Sequence, residues 1–208
     1  MALVMTSPLG PKPRAFGVKK RTVPIAPPSQ FAPGTTNWTV PYSGRWKFVA
    51  WSGGGTGASP AEGGNSGCYA EKTKALAANT VVAIVVGGPS ASTTITFPDG
   101  TVVTCPAGNG GASAPPTPTG GDVNLQGSQG GNNSGGAGAN GQGTGGGAGK
   151  AGNGSNTGGG AGAPANLPFR GGDGSSTSVY SRTPGGGGCG VGPDYARGGD
   201  GLVIAFMV

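Results

Sequence analysis

The sequence predicts an all-β protein: a small β-domain, a glycine-packed segment inserted into it, and an extended N-terminal arm. Three observations predict it. Short β-branched or aromatic runs, each bounded by Gly, Pro, Asp or Ser, recur between Trp38 and Cys105 and again at the C-terminus. Glycine dominates the stretch from Gly108 to Gly162, recurring mostly every second or third residue from Gly127 onward, and too few large side chains remain there to build an ordinary core. Seven prolines, Pro8, Pro11, Pro13, Pro24, Pro27, Pro28 and Pro33, punctuate the first 36 residues, and their fixed φ and missing N–H groups disfavour helix there.

The strands are legible in order. Trp38 and Val40, then Trp46, Phe48 and Ala50, alternate with Thr39, Arg45, Lys47 and Val49, which predicts strands on either side of a Pro41-Tyr42-Ser43-Gly44 turn. The three tryptophans Trp38, Trp46 and Trp51 are expected in the core, given the apolar surface each carries. Residues 71–76 are compatible with a strand or a short helical turn. Val81 to Val86 is an unbroken apolar run, short for a helix and suited to a buried strand. Thr93 to Phe97 and Thr101 to Cys105 flank Pro98-Asp99-Gly100, the clearest hairpin in the chain. Leu202 to Val208 is a second apolar strand, expected to pair centrally with the early strands and to bury even Val208.

Because strands precede and follow it, the glycine field is an insertion, residues 108–163, anchored at both ends, which lowers the entropy lost on ordering it. Its glycines fall into registers of three, as in Gly135, Gly138 and Gly141 and again Gly146, Gly149 and Gly152, the repeat of a threefold polyproline-type helix. No proline lies between Pro118 and Pro164 and no G-X-Y run is sustained, which argues against a collagen triple helix. Such helices can instead stack side by side and exchange backbone hydrogen bonds, so a packed bundle of polyglycine-II helices is expected, the alternative being the flexible coil that glycine-rich composition by itself favours.

Charge separates the arm from the rest. Lys12, Arg14, Lys19, Lys20 and Arg21 give residues 1–36 five positive charges and no negative one, within a net charge of +6. The expected organisation is therefore an assembly arm over residues 1–36, carrying Phe16 among those basic groups, and a glycine-rich β-domain over residues 37–208. The opening apolar run is too short for a secretory signal, and no stretch approaches the roughly 20 apolar residues of a membrane span.

Chemistry-bearing patterns are sparse. The chain has no histidine and only seven carboxylates, which removes the usual general bases and metal clusters, so no catalytic, cofactor or metal site is expected. Gly141, Gly143 and Gly146 match the spacing of a dinucleotide fingerprint, but no strand leads into them and no helix-forming run follows. Asp99, Asp122, Asp173, Asp194 and Asp200 sit beside glycines or in turns, where they cap local N–H groups. Cys68, Cys105 and Cys189 are too widely spaced for a metal knuckle; they are three free thiols, or one disulfide and one free thiol. The late segment with Phe169, Arg170, Tyr180, Arg182, Tyr195 and Arg197 mixes aromatics and guanidinium groups as interfaces do.

The succession Trp38-Thr39-Val40-Pro41, Ser43-Gly44, Trp46 to Gly55, Val81 to Gly87, repeated Gly-Gly pairs and finally Gly198-Gly199-Asp200-Gly201-Leu202-Val203-Ile204 carries a resemblance. Over residues 37–208 the chain resembles the glycine-rich domain of tailed-bacteriophage tail fibres and other virion appendage proteins. That resemblance implies a β-sandwich of the tumour-necrosis-factor type with polyglycine helices between its strands. The chain is also similar to the polyglycine-helix sandwiches of phage receptor-binding adhesins, whose loops at the ends of the glycine helices contact the host surface. Those loops carry aromatics, whereas residues 108–163 hold none, so an adhesin reading depends on residues 169–197.

The expectation is a structural protein of the virion, not an enzyme. It docks on other virion proteins through its arm, projects its glycine-rich domain, forms a homo-oligomer with a trimer favoured, and enters no membrane. The alternatives are an adhesin whose partner is a host surface glycan, and nucleic-acid binding by the basic arm. The latter has one aromatic, Phe16, and no folded basic face behind it.

Overall fold

The structure is a computed structural model that describes residues 26–57, 64–110, 114, 116–127 and 198–208. Nine strands in two antiparallel sheets make up the described secondary structure, and there is no helix among the described residues. The five-stranded sheet runs β1 (Ser29–Phe31), β9 (Leu202–Met207), β3 (Gly44–Trp51), β4 (Tyr69–Leu76) and β8 (Val123–Leu125). The four-stranded sheet runs β2 (Gly34–Thr39), β5 (Val81–Val86), β6 (Thr93–Thr96) and β7 (Val102–Cys105). This two-sheet, all-β architecture is consistent with the expected sandwich.

One core is shared by both sheets. Trp46, Phe48, Ala50, Ala70, Val203 and Ala205 meet Val82, Ile84, Val86, Ile95, Val103 and Cys105, all buried. Period-two alternation puts each of these on the inner face of its strand. Aromatic edges continue the packing: Trp38 lies edge-on to Trp46 and Phe48, with centroids 5.0 and 5.8 Å apart, and Phe48 to Phe97 at 5.0 Å. Trp51 is as buried as Trp46 but on the opposite face of β3. There it joins Val49 and Tyr69, with Leu202, Ile204 and Phe206 packed against them, so the second half of β3, Phe48 to Trp51, is buried and apolar on both sides.

Several expectations hold. The strands flanking the 41–44 turn are present, although β2 and β3 belong to different sheets, so the turn crosses between layers. The 71–76 ambiguity resolves to strand, β4. The Pro98-Asp99-Gly100 hairpin is present: Gly100 N–H donates to Phe97 O at 2.9 Å, Thr101 N–H donates to Asp99 Oδ1 at 3.1 Å, and Gly100 takes φ +81°. The C-terminal strand β9 is central, between β1 and β3.

Others need correction. β5 is not buried on both faces: Val82, Ile84 and Val86 point inward, while Val81 and Val85 are exposed, because the outer face of the four-stranded sheet is open. Val208 is 62% exposed, lying one residue beyond the last rung. The folded region begins before the compositional boundary at 37. Ala26 is buried, β1 pairs Ser29 with Ala205 and Phe31 with Val203, and β2 begins at Gly34. Prolines Pro27, Pro28 and Pro33 flank β1 instead of interrupting it, which edge strands tolerate. The start of the glycine field is also partly sheet: Thr119 bridges Thr104, and β8 pairs with β4.

Candidate functional site

The turns and the glycine links segregate to opposite ends of the molecule. β3, β5 and β7 all run into glycine-rich links, at Ser52, Gly87 and Pro106, while β4, β6 and β9 all emerge from them, after Cys68, Ser92 and Gly201. At the other end lie the tight connections at residues 40–43, 77–80 and 97–101. β1 is antiparallel to β9, so the chain before Ser29 is at the turn end: Ala26 is on the side of Met207 and Val208, away from Gly201.

At the glycine end, segments that belong to neither sheet are bound backbone to backbone. Gly53 N–H donates to Ala91 O at 3.1 Å, Gly54 N–H to Gly199 O at 2.9 Å and Gly55 N–H to Asn65 O at 2.7 Å. The carbonyls of the same stretch accept from other segments: Gly108 N–H donates to Gly53 O at 2.9 Å and Ser90 N–H to Gly54 O at 2.8 Å. Three consecutive residues thus bond in several directions, to four different parts of the chain, which a flat ladder does not do. Side chains would prevent it. A Cβ on Gly53 would fall 1.8 Å from Gly88 O, on Gly55 2.2 Å from Asn109 O, and on Gly198 2.0 Å from Gly54 O.

A few buried polar side chains pin this end to the sheets. Ser52 Oγ donates to Pro106 O at 2.6 Å and accepts from Cys68 N–H at 2.8 Å. Thr93 Oγ1 donates to Trp51 O at 2.8 Å and accepts from Gly87 N–H at 3.0 Å. Asn65 and Ser66 are fully buried in the same region. Sequence reasoning missed these residues; the available signal was a hydroxyl residue between a strand and a glycine run, as at Ser52, which follows Trp51 and precedes Gly53-Gly54-Gly55. Both ends of the long glycine-rich stretch 128–197 are seated here. A Cβ on Gly127 would meet Ser66 O at 2.3 Å, and Gly198 lies against Gly54.

The sequence-predicted residues of the arm, Lys12, Arg14, Phe16, Lys19, Lys20 and Arg21, lie outside the described residues. So do Phe169, Arg170, Tyr180, Arg182, Tyr195 and Arg197, Cys189, and the threefold glycine registers. No known protein family matches the chain, and no curated protein is similar to it.

The geometry offers little chemistry. Among the described residues no group of three His, Cys, Asp or Glu side chains could hold a metal ion, and no helix is long and apolar enough to cross a membrane. Among the described residues the most enclosed charged cluster is Lys47, Glu71 and Tyr69 on the outer face of the five-stranded sheet. There the Lys47 ammonium pairs with the Glu71 carboxylate, which also accepts from the Tyr69 hydroxyl. Burial and then the Glu71 hydrogen bond hold the Tyr69 proton on, so this cluster is a cross-strand tie and no nucleophile. A shallow pocket at the turn end, lined by Lys74, Leu76, Thr80, Pro98 and Asp99, is closed electrostatically, with Lys74 Nζ 2.5 Å from Asp99 Oδ2.

Two groups of titrations give stability a pH window. The Lys74 hydrogen bond, helped by Thr101, holds Asp99 at about 2, and Lys72 with the Thr73 N–H lowers Asp122. Folded-state values below the unfolded ones mean that this stability is present above the ordinary carboxylate range and lost as pH falls toward 2; both carboxylates are exposed, so the loss is small. The thiols act in the opposite sense. Burial pushes Cys68 up to about 11 and raises Cys105 too, so their contribution is complete below the unfolded value of 9.0 and is lost as pH rises from 9 toward 11. Thermal melts from pH 8 to pH 11 are expected to show a falling Tm, with a shallower fall in Cys68→Ala. Parallel slopes in the two proteins would show that Cys68 is not the titrating group.

Proposed function

We propose that the chain is a structural protein of a bacteriophage virion that docks on other virion proteins through its N-terminal arm and projects its glycine-rich end outward. The observation that carries this reading is the polarity of the fold. Ala26, where the described chain begins, lies at the turn end, whereas residues 52–57, 64–68, 87–92, 106–110 and 198–201 gather at the opposite end. A protein anchored by a basic N-terminal arm on one side and elaborated with glycine on the other has the layout of an appendage. We further infer that the glycine links and the field they lead into form a polyglycine-II bundle on a tumour-necrosis-factor-like sandwich. The multidirectional backbone bonds of Gly53, Gly54 and Gly55 and the absence of room for a Cβ support this, since they are what side-by-side threefold helices require.

A receptor-binding role is the second reading, favoured by one specific observation. Gly127 and Gly198, the two ends of the stretch that carries Phe169, Arg170, Tyr180, Arg182, Tyr195 and Arg197, both sit at the end away from Ala26, where a host surface glycan would be met.

Truncation tests the docking claim. Because β1 and β2 begin at Ser29 and Gly34, the informative deletion is residues 1–25, not 1–36. The truncated chain is expected to keep its Tm within about 2 °C, as a segment outside the core does, and to be missing from purified particles. Incorporation at the normal level would place the anchor on the folded domain and overturn the reading.

A further inference from the structure

Four sheet edges close the described structure, and three of them are blunted. β1 and β8 are each three residues long, and β1 is bounded by Pro28 and Pro33. On the outer side of β7, Thr104 N–H donates to Thr119 O at 3.0 Å and Thr119 N–H donates back to Thr104 O at 2.9 Å. The fourth edge is β2. It is six residues long, carries no charge and no proline, pairs only with β5 among the described residues, and exposes Gly34, Thr35, Thr36, Asn37 and Thr39 to solvent. Proteins usually protect such an edge with charge, proline or a bulge.

The direction of its free backbone groups follows from the ladder. Val40 N–H donates to Thr80 O at 2.8 Å, which turns the backbone of Val40 toward the β5 side. Alternation in an antiparallel pair then turns Trp38, Thr36 and Gly34 the same way, and leaves the N–H and C=O groups of Thr35, Asn37 and Thr39 pointing outward. These three residues are evenly spaced about Asn37. A second β2 laid antiparallel about a twofold axis at Asn37 sets Asn37 opposite Asn37 of the partner subunit and Thr35 opposite Thr39 of the partner subunit. In that register every outward donor meets an outward acceptor and inner faces stay matched, since Trp38 falls opposite Thr36 of the partner subunit.

We propose that β2 is the docking edge for β2 of a second copy of this chain, joining two four-stranded sheets into one of eight. Two features favour a second copy as the occupant. The edge is self-complementary in its outward backbone N–H and C=O groups. The outer face it extends, with Val81, Val85 and Val102 exposed beside Thr94, Thr96 and Thr104, carries no charge, so two copies of a chain with net charge +6 meet there without opposed like charges. The contact is twofold, which differs from the trimer the sequence suggests, and it does not depend on what the arm binds.

Disulfide trapping and hydrodynamics on the full chain test it. In Asn37→Cys the paired Cα atoms would be about 5.5 Å apart, within reach of a disulfide, so mild oxidation should give a dimer linked between the two 37 positions. In Thr39→Cys the two sulfurs would start about 13 Å apart along the ladder and should not join, whereas mixing Thr35→Cys with Thr39→Cys should link one to the other. By sedimentation equilibrium at about 0.5 mM the unmodified chain should be dimeric, and Asn37→Pro, which removes an outward N–H and no bond to β5, should weaken association at least tenfold at unchanged Tm. A monomer at that concentration, equal trapping at 37 and 39, or undiminished association in Asn37→Pro would each overturn the proposal. Should Asn37→Pro fail to fold, the trapping pattern decides.

Discussion

Gly53→Ala is expected to be less stable than the parent by at least about 3 kcal/mol, whereas Gly88→Ala is expected to keep nearly the parent stability, although the two glycines touch. A Cβ on Gly53 would lie 1.8 Å from Gly88 O and 2.7 Å from its carbonyl carbon, both backbone atoms that cannot swing aside. Relief requires separating the segments, which breaks the bond from Gly53 N–H to Ala91 O and the bond that Gly53 O accepts from Gly108, and disturbs those of Gly54 beside it. Overpacking and the lost hydrogen bonds together amount to at least about 3 kcal/mol, a large share of the 5–15 kcal/mol that holds a typical domain folded. At Gly88 the added methyl meets only Asp200 Oδ1, at 3.7 Å, an ordinary contact. Chemical denaturation of the two variants beside the parent measures the contrast. Equal stabilities would mean that the links at this end are not packed as described.

Removing the last strand should be as severe. A chain ending at Gly201 loses the rungs that β9 makes with Trp46 to Trp51 on one side and with Ser29 to Phe31 on the other, together with the fully buried Val203 and Ala205. It also uncovers Trp46 and Phe48 in the core and Val49 and Trp51 behind it, so both faces of β3 lose cover. Such a chain is expected to be insoluble. The graded version is Val203→Ala, expected to cost about 2 kcal/mol for the methyl groups and the cavity. Loss of Val208 alone should be nearly silent, because its side chain is exposed and only its N–H, donated to Arg45 O, is engaged. Soluble expression and urea melts of the three proteins separate these outcomes; a well-folded chain ending at Gly201 would contradict the central position of β9.

Much of the sheet structure was legible because its signals are local. Alternation from Trp46 to Ala50, the Pro98-Asp99-Gly100 turn and the apolar run from Leu202 each need only a few neighbouring residues to be read. The misreadings occur where a local signal has two tertiary outcomes. Val81 to Val86 is apolar throughout, and composition cannot tell a strand buried on both faces from one with an open face. β1 is hidden by its flanking prolines, and β8 by the glycines on either side of Val123 to Leu125. The glycine end is the deepest case. Gly53-Gly54-Gly55 reads equally well as a flexible linker, and only the approach of Gly88, Asn109 and Gly198 decides otherwise. Ser52 and Thr93 fix that end to the strands through partners, Pro106, Cys68, Trp51 and Gly87, that are mostly distant in sequence, so a local reading does not reveal their bonds.

The central claim is that the described glycines between the strands build packed, hydrogen-bonded structure at the end remote from Ala26. Residue-resolved amide hydrogen exchange on the full-length protein tests it most directly. The N–H groups of Gly53, Gly54, Gly55, Gly108 and Gly201, each bonded to a carbonyl of a distant segment, are predicted to be protected to the same degree as Phe48 and Ala205 in the central strands. Exchange of those glycines at the rate of an unstructured peptide, while the strands stay protected, would contradict it.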